Sequence, residues 1–448
     1  MRYLESIQKS LKRVTQSQVP CARLELPVAE GGGCTAARRR GRTQGGAAAG
    51  PAWKILGCIL AHCSSIVLLS GAQLVHAQPN PALIRVAVAK DDPQVLLQIF
   101  GRFTMVASHN GQPIQQGRRL RPVTVRAVAA GLAMGDDVLP FAGVRIEPAT
   151  DAAISLNGKR LRGIIEIMRQ RDLTLLVVNH VELEDYLRGV LSKEAPDYWP
   201  PEALKAIAIA ARTYALYQRF TKSQIDYDVS GDIMSQDYGG KTAEKIATTR
   251  AVKSTAGWIV MSQGKLFPTF YHSTCGGMTE NGRVMGPFNI EPLRGGVTCR
   301  FCLASPFFSW QRRLTKADVA WAVSKSRFGS IGPVGDIQVT KRTASGRVEE
   351  LRILGARRTL VLSGYDFRSL FGFDRIRSPL FAVERVADGF VLDGHGWGHG
   401  VGMCQWGAAE LARRGFSAAE ILEYYYPNTQ LVDVQTLVNQ PVTVVGGS

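Results

Sequence analysis

The chain has 448 residues, 45% of them hydrophobic, enough to bury one large core or two to three smaller ones. Lys and Arg number 54 against 37 Asp and Glu, a formal charge of +17 that suits an anionic partner: an acidic wall polymer, a membrane surface or nucleic acid. Ten Lys/Arg against three Asp/Glu fall in residues 1–77, so the rest of the chain is moderately basic and lacks the dense stripe that marks a nucleic-acid binder.

Residues 1–52, with "GGG", "ARRRGR" and "GGAAAG" and little apolar periodicity, read as a disordered or mis-assigned extension. Residues 53–77, "WKILGCILAHCSSIVLLSGAQLVHA", combine a basic flank, an apolar run and a small-residue end, the pattern of an export signal cleaved after Ala77. An uncleaved anchor over Ile55–Leu74, near spanning length, and a buried helix are the other two readings. Either a signal or an anchor puts residues 78–448 on the periplasmic or cell-wall side of a membrane.

Residues 78–182 carry short β-branched runs such as "ALIRVAVA", "QVLLQIF", "VTVRAVAA" and "LTLLVVNHVEL", separated by Gly, Asn, Asp or Pro, and read as a β-rich scaffold with little chemistry of its own. In "ELEDYLRGVLSKEAP" Leu183, Leu187, Val190 and Leu191 recur at helical spacing until Pro196 forces an end. "PPEALKAIAIAARTYALYQRF" follows, with Pro201 suited to a first turn and a composition that favours helix throughout. Strands return after Lys253, with a hairpin-like pair around "SQGK", and again over 336–393; short helices at roughly 403–414 and 417–426 close the body before a tail at 436–448. The fold class is α+β: a β-rich N-terminal part, 78–182, then a mixed α/β catalytic part, 183–435, with a substrate groove.

Five glycines occupy alternate positions in "DGHGWGHGVGMCQWGA", from Gly394 to Gly402. Continued as an extended strand, the stretch sets His395, Trp397, His399 and Val401 on one face and bare backbone on the other, where a ligand or another backbone can approach. An indole beside two imidazoles makes a floor for a sugar ring; the plainer reading is a tight glycine-rich turn with core-packed aromatics. Of eight cysteines, four (Cys21, Cys34, Cys58 and Cys63) lie before residue 78, leaving too few for a disulfide framework in the body. His272-x2-Cys275 and Cys299-x2-Cys302 have the pair spacing of a Cys3His structural zinc site. Disulfides, favoured by export, and free thiols or a substrate-facing His272 are the alternatives. Cys404 reads as a small buried residue.

The stretch "GHGWGHGVGMCQWGAAELARRGFSAAEILEYYYPNTQL" resembles the C-terminal signature of the stage II sporulation protein D family, also called the amidase-enhancer family. "YLRGVLSKEAPDYWPPEALKAIAIAARTYAL", "SQDYGG", "YHSTCGGMTE" and "PLRGGVTCRFC" occur in the family's order, and the resemblance runs from about residue 83 to 435. It implies a lytic transglycosylase that cuts peptidoglycan glycan strands, with the catalytic carboxylate at Glu194 in "LSKEAP". One carboxylate suffices for such a reaction, since the same group can give a proton to the leaving oxygen and then take one from the substrate's own 6-hydroxyl. Desolvation by Tyr198 or Trp199 is the expected source of a raised Glu194 pKa. The resemblance also implies that Arg212, Gln236, Tyr238 and Gln405 line or brace the groove, and Arg212 reads equally well as a structural ion-pair partner. It implies a structural zinc too, although the stretch that carries some of the family's ligands reads "DYDVSGDIMSQDYGG" here and holds neither Cys nor His. The alternative function is a non-catalytic wall-binding enhancer of a partner amidase.

Overall fold

The computed structural model describes residues 83–445 apart from 151, 223–224, 233–234 and 438–441. The extension expected over 1–52 and the signal or anchor expected over 53–77 lie outside the described residues. No described helix is long and apolar enough to cross a membrane.

The β-rich segment folds as ten strands: β1 (Leu83–Asp92), β2 (Gln94–Ala107), β3 (Pro113–Val128), β4 (Gly131–Met134), β5 (Asp137–Leu139), β6 (Gly143–Pro148), β7 (Ala153–Leu156), β8 (Lys159–Leu161), β9 (Ile164–Arg169) and β10 (Leu175–Glu182). With β11 (Val229–Ser230) they form one sheet ordered β11-β1-β10-β9-β6-β2-β3-β4-β5, with β7 on β2 and β8 on β7. Alternation sets the buried face: Val95, Leu97 and Ile99 of β2 are almost fully buried while Gln94, Leu96 and Phe100 are exposed. β10 reads "LLVVNHVE", is buried nearly throughout, and pairs on both sides with β1 and β9.

Two helices leave β10. The first, α1 (Leu183–Glu194), buries Leu183, Tyr186, Leu187, Val190 and Leu191 at helical spacing. It stops where Ala195, preceding Pro196, is driven to an extended conformation (φ −136°, ψ 141°), so Glu194 is the last helical residue. The second, α2 (Pro201–Thr221), starts on Pro201 and buries thirteen of its twenty-one residues, so it is a central helix rather than a surface one. A third, α3 (Ile246–Ser254), packs on both. The expected pair around "SQGK" is a tight turn, with Ser262 and Lys265 exchanging backbone hydrogen bonds of 3.0 and 2.9 Å. Its arms find other partners. β12 (Trp258–Met261) pairs antiparallel with 430–433, and β13 (Lys265–Leu266) pairs parallel with 443–444, which docks part of the expected tail. β14 (Tyr271–His272) pairs parallel with residues 403–404.

A second lobe follows. β15 (Ser309–Thr315), α4 (Lys316–Ser324), β16 (Val334–Arg342), β17 (Val348–Gly355), β18 (Thr359–Leu362), α5 (Gly364–Phe371), β19 (Phe381–Val386) and β20 (Gly389–His395) form two three-stranded sheets, ordered β15-β20-β19 and β16-β17-β18. Their apolar residues, from Trp310 to Leu392, make a core of their own. Neither helix here was expected: α5 lies in 336–393, which read as strands, and α4 lies just before it, yet each has a capping signal. Thr315 and Asp318 form a reciprocal capping box, and Ser363 accepts from the Asp366 N–H. The chain then passes through β21 (Met403–Cys404), α6 (Gln405–Arg413), α7 (Ala418–Tyr425), β22 (Gln430–Asp433) and β23 (Thr443–Val444) and rejoins the first core. That first core is continuous from β1 through the helices to Tyr426. The structure is thus mixed α and β, with a large sheet and seven α-helices among the described residues.

Candidate active-site cleft

A cleft of about 250 Å³ is lined by residues of both lobes. Glu194, Gln236, Tyr271, His272 and Gln405 come from the first, and Tyr365, Arg368 and Phe373 from the second; Trp397 and His399 lie on the segment that returns from the second to the first.

Glu194 sits in this cleft because α1 ends on it. It keeps partial access to solvent, yet the surrounding protein removes enough water to raise its pKa to about 7 from the ordinary 4.5; the Asp237 charge pushes the same way. A carboxylate at a helix C-terminus also faces the negative end of the helix dipole. Opposing this, the Asp237 backbone N–H donates to Glu194 Oε1 at 3.0 Å. The Gln405 Nε2 donates to the Glu194 carbonyl at 3.2 Å, tying the end of α1 to the start of α6. Desolvation was expected from Tyr198 or Trp199, and neither lines the cleft. Tyr198 is exposed, and Trp199 is buried edge-on against Trp406 at 5.3 Å.

Gln236 is buried and fully engaged. It accepts from Tyr186 Oη (3.0 Å) and donates to Tyr271 Oη (2.9 Å) and the Ala211 carbonyl (3.3 Å), so it braces α1, α2 and β14 from the cleft wall. Tyr271, which the sequence reading missed, lines the cleft with its pKa well above 10, chiefly from burial and then from the Glu194 charge, and stays a neutral phenol. Lys193 and Asp237 also line it and pair at 3.1 Å; Asp374 stands exposed at the rim.

Three expected groove residues lie elsewhere. Arg212 is fully buried away from the cleft, bonded to Glu184 (2.7 and 2.8 Å) and to the Trp258 and Val252 carbonyls (3.0 and 3.3 Å). It fastens α1, α2, α3 and β12 together, because a guanidinium that deep must spend its donors on protein. Tyr238 is also buried, stacked 5.1 Å from Tyr186, with its hydroxyl on Asn179 Oδ1 at 3.1 Å. His395 is exposed, lies outside the cleft lining and packs edge-on against Phe308 at 5.6 Å.

The glycine ladder explains the last displacement. The strand ends at His395, and Gly396, Gly398, Gly400 and Gly402 all take positive φ (74°, 115°, 88° and 70°), so the stretch is not extended and its side chains do not share a face. Trp397 and His399 reach the cleft wall while Val401 goes into the core. What approaches the glycines is protein: a Cβ at Gly398 would stand 2.7 Å from His272 Cβ, and one at Gly400 would run into the Arg347 guanidinium. Trp397 packs edge-on against Phe307 at 4.6 Å, with the Arg377 guanidinium 5.1 Å over its ring. His399 Nδ1 accepts the Val401 N–H at 3.0 Å, and desolvation, followed by Arg368 and Arg347, holds its pKa at about 3. His272 is likewise held neutral by burial, with Nδ1 on the Val401 carbonyl at 3.1 Å.

Residues 171–261 match the family model described as stage II sporulation protein, and residues 303–402, the second lobe, match a domain of unknown function. An uncharacterised protein of Brachyspira hyodysenteriae is 30% identical over 366 residues, 80% of this chain and 95% of its own length. Stage II sporulation protein D of Bacillus subtilis is 30% identical over 278 residues, 59% of this chain and 78% of its own. The chain belongs to the stage II sporulation protein D family. The amidase enhancer of Bacillus subtilis is more distant, 27% identical over 64% of this chain and 46% of its own length.

Against the Cys3His set expected from pair spacing, the structure exchanges one residue. Cys275, Cys299, Cys302 and Cys404 are buried free thiols whose sulfurs all lie within 4.8 Å of one another, a group that could hold a metal. The register β14–β21, His272 opposite Cys404, brings Cys404 in. His272 lines the cleft instead and is not part of the group. The missed signal was Cys404 itself, one residue before the Gln that holds Glu194.

Proposed function

We propose that this protein is a peptidoglycan lytic transglycosylase, acting outside the cytoplasm on glycan strands stripped of peptides, with Glu194 as its acid and base. The observation that carries the reading is Glu194 in the cleft with a pKa near 7, so that a large fraction is protonated at neutral pH. Family membership and the amidase-enhancer relative support a role at the cell wall.

Glu194 gives its proton to the glycosidic oxygen as the bond from that oxygen to the anomeric carbon of N-acetylmuramic acid breaks, releasing N-acetylglucosamine with a free hydroxyl. The resulting carboxylate takes the proton of the muramyl 6-hydroxyl, whose oxygen bonds to the anomeric carbon and closes a 1,6-anhydro ring. Glu194 ends protonated and no water is consumed. The Asp237 N–H steadies the carboxylate between the two transfers. Trp397, Tyr365 and Phe373 supply aromatic edges for sugar rings, and the neutral Tyr271 hydroxyl can donate a hydrogen bond to the substrate.

The test uses the full chain and Glu194→Gln on peptide-free glycan strands, with products read by mass spectrometry. Anhydro-muramic ends from the wild type and none from the variant support the mechanism. Reducing ends instead would mean that water attacks, with Asp237 or Asp374 as second carboxylate. Binding without cleavage by both proteins would leave the non-catalytic amidase-enhancer reading.

A further inference from the structure

We propose that Cys275, Cys299, Cys302 and Cys404 form a tetrathiolate zinc site that fixes the glycine-rich segment and, through Gln405, the carboxyl-bearing end of α1. Tetrahedral zinc at Zn–S distances near 2.3 Å requires sulfurs about 3.8 Å apart. Here all four lie within 4.8 Å of one another, and Cys275 and Cys302 are 3.5 Å apart, well beyond the roughly 2 Å of a disulfide.

The surroundings suit thiolates. Backbone N–H groups point at sulfur: Cys275 and Gly407 donate to Cys404 Sγ (3.3 and 3.4 Å), and Gly277 donates to Cys275 Sγ (3.4 Å). The Tyr425 hydroxyl stands 3.1 Å from Cys299 Sγ. Cys404 is the N-cap of the nine-residue α6, so the positive end of that helix faces the cluster. A zinc ion with four thiolates carries a net charge of −2, and a buried cation stands beside it. The Arg347 guanidinium, 2% exposed, donates to the Cys275 carbonyl at 2.6 Å. Its Nε has no hydrogen-bond partner among the described residues, so Arg347 stands there for its charge as well as its bonds.

All four ligand positions are protein sulfur, so the site is closed and structural rather than catalytic. Its position explains what it holds. Cys299 and Cys302 lie in a loop without regular structure, Cys275 follows β14, and Cys404 begins α6, whose first residue, Gln405, bonds the Glu194 carbonyl. One ion thereby joins three segments that are far apart in the chain.

The full chain, purified without chelator under reducing conditions, is assayed for metal by inductively coupled plasma mass spectrometry; one zinc per chain is expected. Cys404→Ser should fall to well below half of that, and His272→Ala should keep it. Cobalt exchanged into the wild type provides a readout that needs no variant to fold, its absorption spectrum separating four thiolates from three thiolates and an imidazole. The proposal is overturned by a metal-free wild type, by a chain lighter by two hydrogens per disulfide, or by a His272→Ala chain that loses zinc. Metal content is read independently of glycan cleavage, so this result and that of the glycan assay are separable.

Discussion

At the scale of single residues, Glu194 is held in a way that costs stability. Its pKa is near 7 folded against about 4.5 for an ordinary carboxyl, so between these values the unfolded chain loses a proton that the folded chain keeps. Stability therefore falls as pH rises from 4.5 to 7, by up to about 3 kcal/mol, and stays reduced above that. Glu194→Gln removes the penalty while its side-chain oxygen still accepts the Asp237 N–H. The melting temperatures of variant and wild type should agree at pH 4, with the variant several degrees higher at pH 8. The same proton governs rate: kcat/KM should decline above about pH 7, and Glu194→Gln should lose about 10²- to 10⁴-fold. Gly400 gives a second residue-scale prediction. Ala there must take a φ near +88° and push the Arg347 guanidinium, which is pinned by the Cys275 and Met278 carbonyls. Gly415 has a similar φ of +93° with open space around it. In urea titrations Gly415→Ala should cost about 1 kcal/mol and Gly400→Ala at least about 2 kcal/mol more.

At the scale of elements, the joints between helices were the hardest part to read from sequence. Helical spacing and Pro196 located α1 and therefore the end that carries Glu194, and the Ala-rich composition located α2. Neither pattern tells whether an Arg on α2 faces a groove or a partner helix. Arg212 faces Glu184, and burial decides its role: its neighbours on α2 are Ala211 and Thr213, both fully buried. The glycine ladder misled for a related reason. Alternation implies a shared face only while φ stays negative, and four successive even-numbered glycines do not keep it so. The Cys3His grouping left out Cys404 for a topological reason, since no local spacing announces that β21 lies beside β14. Arg212→Ala should destabilise by about 2–4 kcal/mol in urea unfolding, because it strands the partly buried Glu184 carboxylate and the Val252 and Trp258 carbonyls at the α1–α2–α3 joint. Glu202 should matter far less to that joint, being a surface partner of Lys205 that also accepts from the Ala418 N–H.

At the scale of the whole molecule, the cleft depends on two hydrophobic cores meeting. Residues 309–392 pack around Phe367, Phe381 and Phe390, apart from the core that carries Glu194. This lobe contributes one carboxylate to the cleft, the exposed Asp374 at the rim, and an aromatic edge. Tyr365 and Phe373 stand 5.6 Å apart on the cleft wall, and the Arg368 guanidinium lies 4.8 Å over the Phe373 ring with its donors on the Ile376 and Arg377 carbonyls. Such a ring is held in place without being buried, as a sugar-stacking surface must be. If the lobe binds the strand and the first core performs the chemistry, the two functions should separate kinetically. Phe373→Ala should raise KM for glycan strands about tenfold, leave kcat within about twofold and keep the pH profile of kcat/KM in place, because uniform binding is lost while the acid is untouched. A fall in kcat with KM unchanged would instead assign the second lobe to the transition state, and a shift in the pH profile would show that Phe373 helps to desolvate Glu194.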